Sequence, residues 1–145
     1  MLDAYNNCFV GPLPRGLGEL RRLQRLNLGG SFFNESVPAE IGQLRSLRFL
    51  HLAGNALTRR LPSELGALAS LEQLEIGYNA YDDGVPVELG NLMRLQYLDI
   101  AVTNLSGLVP PELGEFARLK KLFLFKNRLV TAAHTTKTNA AKAPR

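Results

Sequence analysis

A fixed interval of 24 residues separates equivalent positions along most of this chain, and no other feature constrains the fold as strongly. Three of the repeating positions are leucine or isoleucine, and two more are proline and glycine. The columns are Leu23, Leu47, Leu71, Leu95 and Leu119; Leu26, Leu50, Leu74, Leu98 and Leu122; Leu28, Leu52, Ile76, Ile100 and Leu124; Pro14, Pro38, Pro62, Pro86 and Pro110; and Gly18, Gly42, Gly66, Gly90 and Gly114. The register runs without insertion from about Leu2 to Val130, so the chain is built from copies of one unit.

Each unit begins with a half-buried strand. In the segment LQYLDI, alternation directs Leu98 and Ile100 to one side and Tyr97 and Asp99 to the other. A single strand of this kind cannot bury its apolar side, so successive units are expected to stack into a parallel sheet. A polar residue follows the strand in each unit: Asn55, Asn79, Asn127, Ser31 and Thr103. The asparagine amides are expected to satisfy backbone groups that turn into the interior, and the hydroxyl side chains to do so only in part.

The second half of each unit, for example PSELGALAS, predicts a short 3₁₀ or helical return. Proline stands at its entrance, where a missing N–H costs least, and glycine is expected to end it early. The predicted architecture is an α/β solenoid, a right-handed superhelix forming a segment of a curved horseshoe with its parallel sheet on the concave face. Four complete repeats occupy residues 23–118, with a partial unit before them (1–22) and a half unit after them (119–130).

The repeats therefore span residues 1–130, and no capping unit with a polar outer face is evident at either end. Residues 131–145 have no apolar period and predict a disordered basic tail. Three of the 17 basic residues lie in this tail, which leaves 14 against 13 acidic residues in the body. Such a neutral body, without a basic stripe, argues against nucleic-acid binding. The sequence also predicts no signal peptide and no membrane-spanning segment.

The body matches the plant-type repeat L-x-x-L-x-x-L-x-L-x-x-N-x-L-x-G-x-I-P-x-x-L-G-x, best seen in LMRLQYLDIAVTNLSGLVPPELG at residues 92–114. This pattern resembles the ectodomains of plant leucine-rich-repeat receptor kinases. A narrower resemblance lies in LNLGGSFF (26–33), FLHLAGN (49–55), LEIGYN (74–79), YLDI (97–100) and LFLFKN (122–127). These phrases resemble, in order and spacing, the middle repeats of the TDIF/CLE-peptide receptor family.

The resemblance implies recognition of an extended, hydroxyproline-containing CLE-type peptide hormone along the concave face. It also implies a parent receptor on the extracellular side of the plasma membrane, with a Ser/Thr kinase domain that this chain lacks. In such receptors, later repeats meet a co-receptor, so a co-receptor site is expected to be absent here.

The outward strand positions and the residues that follow them provide the candidate peptide-binding surface. Large aromatic side chains on a solvated sheet face often mark an interface, and carboxylates or an imidazole can fix the register of an extended ligand. The predicted peptide-binding residues are Phe49, His51, Glu75, Tyr78, Tyr97, Asp99, Phe123 and Phe125. A column of small residues, Gly29, Ala53, Gly77 and Ala101, is expected to let the ligand backbone approach closely.

No residue pattern indicates catalysis, a metal site or a cofactor. The two histidines are His51 and His134, and the single cysteine, Cys8, excludes an internal disulfide. Two sequons, at Asn34 and Asn104, predict N-glycosylation in the turn after the strand.

Two alternatives to the peptide receptor stay open at this point. One is a secreted inhibitor of a pathogen's enzyme, which would need a rigid charged patch rather than an aromatic and glycine track. The other is a truncated product without an autonomous function, which the missing caps favour.

Overall fold

A computed structural model describes residues 1–132, and these residues form one stack of repeated units. Six parallel strands, adjacent in chain order, form the larger sheet. They are β1 (Leu2–Asp3), β3 (Arg25–Asn27), β5 (Phe49–His51), β7 (Gln73–Glu75), β9 (Tyr97–Asp99) and β11 (Lys121–Phe123). The predicted solenoid is therefore confirmed, and the solvent-facing side of this sheet is called the concave face below. Residues 133–145, most of the predicted tail and including His134, lie outside the described residues.

Alternation along each strand builds the core as predicted. Leu98 and Ile100 are fully buried, whereas Tyr97 and Asp99 are only half-buried. Each central leucine stacks on its equivalent in the next unit, because Leu50 pairs in register with Leu74 and Leu74 with Leu98. Since every unit repeats the same pairing, the apolar side chains merge into one continuous core.

A second set of strands follows the first within each unit, and the sequence analysis did not predict it. β2 (Val10–Pro12), β4 (Phe32–Glu35), β6 (Ala56–Arg59) and β8 (Ala80–Tyr81) form a parallel four-stranded sheet. β10 (Ser106–Leu108) pairs with β12 (Arg128–Val130). The sequence signal is weak because these strands are short and bury few residues, as in Ala56–Arg59, where only Leu57 is buried.

The returns are 3₁₀ helices, as predicted. Their bounds are Arg15–Glu19, Ala39–Gln43, Ser63–Ala67, Val87–Asn91 and Pro111–Glu115. A proline precedes each helix, consistent with the expected role at its entrance. The expectation that glycine ends the helix is wrong, because each repeated glycine lies inside its helix and the helix continues for one more residue.

The repeated glycine is required by packing between units instead. A methyl carbon added at Gly18 would lie 2.5 Å from the carbonyl oxygen of Glu40 in the next return. One added at Gly66 would collide with the carbonyl oxygen of Glu88. Successive returns therefore approach so closely that no side chain fits between them.

Asparagine side chains connect each unit to the one before it, as predicted. Asn79 donates from Nδ2 to the carbonyl oxygens of Leu52 and Ile76, both at 3.0 Å. Its Oδ1 accepts the backbone N–H of Leu57, also at 3.0 Å. One side chain thus satisfies backbone groups of two units, where an unsatisfied buried group would cost about 1–3 kcal/mol.

Thr103 fills the same position only in part, as expected of a shorter side chain. Its hydroxyl oxygen lies 2.9 Å from the carbonyl oxygen of Ile100 and 2.8 Å from Oδ1 of Asn127. Nδ2 of Asn127 donates to the carbonyl oxygen of Ile100 at 2.7 Å, which is the same bond to the preceding unit that Asn79 makes to Leu52.

One core position carries an unexpected polar atom. Tyr81 is fully buried, at the position that Leu57 and Leu105 occupy in the neighbouring units. Its hydroxyl group has no hydrogen-bond partner within the described part of the chain, and burial raises the pKa of the phenol. The apolar ring of Tyr81 therefore favours burial at this core position, whereas burial of its hydroxyl group is unfavourable.

The close approach of the returns predicts a matched pair of stability changes. Gly66→Ala should lower the free energy of unfolding by about 1–3 kcal/mol, because the new methyl group must push neighbouring backbone apart. Gly114→Ala should leave it nearly unchanged, because nothing lies within 4 Å of the added carbon. Urea unfolding followed by circular dichroism measures both. Equal effects at the two glycines would contradict this account of the glycine column.

Candidate functional site

Strand pairing arranges the side chains of the concave face in two columns. Each residue lies beside the one 24 positions further along the chain. The first column contains Arg25, Phe49, Gln73, Tyr97 and Lys121, and the second contains Asp3, Asn27, His51, Glu75, Asp99 and Phe123. These columns hold every predicted site residue except Tyr78 and Phe125.

Three rings pack together at the β9–β11 end of the concave face. The ring centroids of Tyr97 and Phe123 are 5.5 Å apart, and those of Phe123 and Phe125 are 6.4 Å apart. Phe125 remains 51% exposed, and the other two rings are half-buried. These residues, named the aromatic cluster below, present flat apolar area to solvent, which is typical of binding surfaces.

Phe49 does not present its ring to solvent, so that expectation is wrong. Its side chain is buried, and the guanidinium group of Arg25 lies 4.1 Å from the ring centroid. His51 meets the same ring edge-on, with centroids 6.2 Å apart. The exposed group at this position is therefore Arg25, which the sequence analysis did not select.

Tyr5 is a further residue of this surface that sequence analysis missed. Its ring stacks on that of His51 with centroids 5.6 Å apart, and Tyr5 is 55% exposed. The signal was available, because Tyr5 precedes Gly29 by one period and so belongs to the small-residue column. It escaped notice because the first unit is only partial.

The glycines of the small-residue column have a different role from the predicted one. A methyl carbon added at Gly77 would lie 2.9 Å from Oδ1 of Asp99, and one added at Gly29 would lie 2.6 Å from Nε2 of His51. The space above each glycine thus holds a side chain of the next unit. The prediction that this space receives the ligand backbone is wrong at Gly29 and Gly77.

Two carboxylates are held in fixed orientations at the centre of the concave face. Oδ1 of Asp99 accepts the backbone N–H of Ala101 at 2.9 Å, and Oε1 of Glu75 accepts Nε2 of Gln73. The pKa of Tyr97 is raised, first by partial burial of the phenol and then by the negative charges of Glu75 and Asp99. The negative charges of Glu75 and Asp99 therefore both act on Tyr97, at the edge of the aromatic cluster.

Tyr78 lies apart from these groups. It follows β7 in a turn with a φ of 52°, and the equivalent residues of the other units also have positive φ. Its ring is 54% exposed, and within the described residues it stacks on no other ring. Tyr78 therefore borders the concave face without joining the aromatic cluster.

The two sequon asparagines are exposed and lie off the six-stranded sheet. Asn104 lies between β9 and β10, as predicted, with a φ of 65°. Asn34 lies within β4, so its predicted placement in a turn is wrong. A turn was predicted there because the second strand of each unit was not anticipated.

Other site chemistry finds little support in the described part of the chain. There, no group of three or more His, Cys, Asp or Glu side chains could hold a metal ion. Cys8 is exposed, with a free thiol. Within residues 1–132, no helix combines the length and apolar character that crossing a membrane requires.

Comparison with known families decides what kind of domain carries this surface. The model of the leucine-rich repeat region matches residues 4–106. The chain belongs to the leucine-rich repeat family. A comparison with curated protein sequences finds no match.

Solved structures similar to this leucine-rich repeat chain include three plant receptors. The TDR receptor superposes with a TM-score of 0.87 at 42% identity, over 92% of this chain and 24% of that one. The plant peptide hormone receptor RGFR1, in complex with RGF2, gives 0.85 at 28% identity, over 88% and 20%. The Arabidopsis receptor kinase HAESA, in complex with the peptide hormone IDA and the co-receptor SERK1, gives 0.83 at 37% identity, over 85% and 21%.

This leucine-rich repeat chain thus spans a quarter or less of the length of each of these receptors. It is similar to plant receptor-kinase ectodomains, as the sequence resemblance implied. The shared repeats form a binding domain rather than a catalytic one.

The geometry around Tyr97 predicts a measurable titration effect. Asp99→Asn and Glu75→Gln should each lower the pKa of the Tyr97 phenol toward its ordinary value, because each removes a negative charge that disfavours the phenolate. NMR titration of ¹³C-labelled tyrosine resolves this group from the other tyrosines. Glu88→Gln, which changes a return carboxylate, is the control and should have no effect. An unchanged Tyr97 titration in both concave-face variants would contradict the geometry.

Proposed function

We propose that the concave face binds an extended peptide hormone of the CLE type, as part of a receptor-kinase ectodomain. The observation that carries this proposal is the aromatic cluster of Tyr97, Phe123 and Phe125, exposed beside the fixed carboxylate of Asp99. An extended peptide needs flat apolar area for its side chains and polar groups that fix its register. Both are present here on adjacent strands of a rigid sheet.

The structural relatives support the same proposal. RGFR1 and HAESA were solved in complex with RGF2 and with the peptide hormone IDA. The TDR receptor has the highest identity of the three, in line with the CLE-receptor phrases in the sequence. The inhibitor alternative requires a rigid charged patch complementary to a folded enzyme, whereas this surface combines exposed aromatic area with one pair of carboxylates, Glu75 and Asp99. We therefore favour a peptide over a folded enzyme.

The predicted site residues take different parts in this proposal. Phe123, Phe125 and Tyr97 supply apolar contact area, and Asp99 and Glu75 fix the ligand register. His51 and Tyr78 border this central area, on the β5 side and in the turn after β7. Phe49 acts through Arg25, whose guanidinium group it supports from below. In the small-residue column Ala53 is half-buried and can contact a ligand, whereas Ala101 is fully buried.

The same proposal places the domain on the extracellular side of the plasma membrane. Asn34 and Asn104 are exposed and lie off the concave face, so N-glycans at both would leave the peptide site open. We assign no co-receptor contact to this chain and no cofactor to its site.

Isothermal titration of the full chain with synthetic CLE-type peptides tests the proposal. We expect saturable binding that Phe123→Ala and Asp99→Ala each weaken by about 2 kcal/mol, roughly 30-fold, as for central interface anchors. Phe32→Ala is the matched control, because Phe32 is an equally large ring, 59% exposed, on β4 of the second sheet. Circular dichroism confirms that each variant is folded. Binding that none of these changes affects would reject the assigned surface, and no binding by the folded chain would reject the function.

A further inference from the structure

The second column of the concave face carries negative charge without a matching positive charge. It contains Asp3, Glu75 and Asp99 and no lysine or arginine. The basic residues of the first column lie against aromatic rings. Arg25 covers the ring of Phe49, and Nζ of Lys121 lies 5.9 Å from the ring centroid of Tyr97. The centre of the column, Glu75 and Asp99, is therefore two adjacent carboxylates.

These two carboxylates are oriented as well as adjacent. They are direct register partners on β7 and β9, and neighbouring parallel strands lie about 4.8 Å apart. Each uses one oxygen within the chain, Asp99 toward the N–H of Ala101 and Glu75 toward Gln73. The absence of a side chain at Gly77 gives Asp99 the room to take this position. The second oxygen of each carboxylate is left for a ligand. In Glu75 this oxygen, Oε2, lies 3.9 Å from Nε2 of His51.

Aromatic rings border the pair on the β9–β11 side. Tyr97 adjoins Asp99 on the same strand, and Phe123 is the register partner of Asp99. Ring faces attract cations through their quadrupole, and Tyr97 already has an ammonium group near its face. Carboxylates beside aromatic rings are a favourable environment for a cation with apolar parts, such as the side chain of arginine or lysine.

We propose that the ligand of the concave face carries a basic side chain, which binds Glu75 and Asp99 together beside the rings of Tyr97 and Phe123. This inference rests on the proposed function and specifies the chemistry of the peptide. A guanidinium group has donors on more than one edge and can reach both carboxylates at the spacing of adjacent strands. A neutral amide would compensate neither charge when the ligand excludes water from the pair.

A metal ion does not explain the pair equally well. Calcium requires six to eight oxygen ligands, whereas the described residues contain no group of three or more acidic, histidine or cysteine side chains that could hold a metal. A histidine of the ligand is only partly protonated near neutral pH, so it offers the pair less positive charge than arginine or lysine does. The charge, the spacing and the neighbouring rings together favour arginine or lysine.

A comparison of arginine with citrulline tests this inference on the full chain. The probes are CLE-type peptides with blocked termini, in which each position in turn is arginine or its neutral analogue of the same shape, citrulline. At one position the arginine peptide should bind roughly tenfold tighter or more, as expected for a charge-assisted contact. The double variant Glu75→Gln and Asp99→Asn should abolish that difference, and Glu88→Gln should retain it.

The outcomes separate this inference from the function on which it rests. If arginine and citrulline bind equally at every position while Phe123→Ala weakens both series, the inference fails and peptide binding stands. If the arginine preference survives in the double variant, the cation binds elsewhere and the inference fails. If the folded chain binds neither series, the inference and the proposed function fail together. The two substitutions preserve side-chain shape, and circular dichroism confirms that the variant is folded.

Discussion

The turn that follows each strand of the six-stranded sheet directs backbone carbonyl groups into the interior, and the structure depends on satisfying them. Asparagine does this at Asn55, Asn79 and Asn127, each of which bonds carbonyl oxygens in its own unit and in the preceding one. These bonds fix how one unit sits on the next. Because the register of the concave columns follows from that stacking, the site inherits its geometry from the interior of the molecule.

Two kinds of close packing between stacked units shape the binding surface. Between returns, glycine lets successive units approach until only backbone separates them, as at Gly66. On the concave face, Gly77 leaves room for Asp99, whose carboxylate then bonds the N–H of Ala101. The first contact makes the support rigid, and the second orients a charged group upon it. A site that binds an extended ligand needs both, since a mobile support would lose the advantage of prearranged contacts.

The column assignments could be predicted because they depend only on period and alternation. Tyr97, Asp99 and Phe123 are neighbours for that reason alone. What could not be predicted depends on side-chain direction between units. Phe49 and Phe123 both face outward in the pattern, yet Arg25 covers Phe49, whereas among residues 1–132 no cation lies over the ring of Phe123. Side chains of the next unit fill the space above Gly29 and Gly77, and the second sheet buries Tyr81. These features also arise from contacts between units, which the sequence of a single repeat does not specify.

The most direct test of the central claim is the footprint of a bound CLE-type peptide on the backbone amides of the full chain, followed by hydrogen exchange or ¹H–¹⁵N NMR. Peptide binding at the concave face predicts changes concentrated in β5, β7, β9 and β11 and in the residues just after them, including Ala101 and Phe125. Changes confined to β2, β4, β6 and β8, or to the 3₁₀ returns, would contradict the claim and place the binding surface on another side of the solenoid.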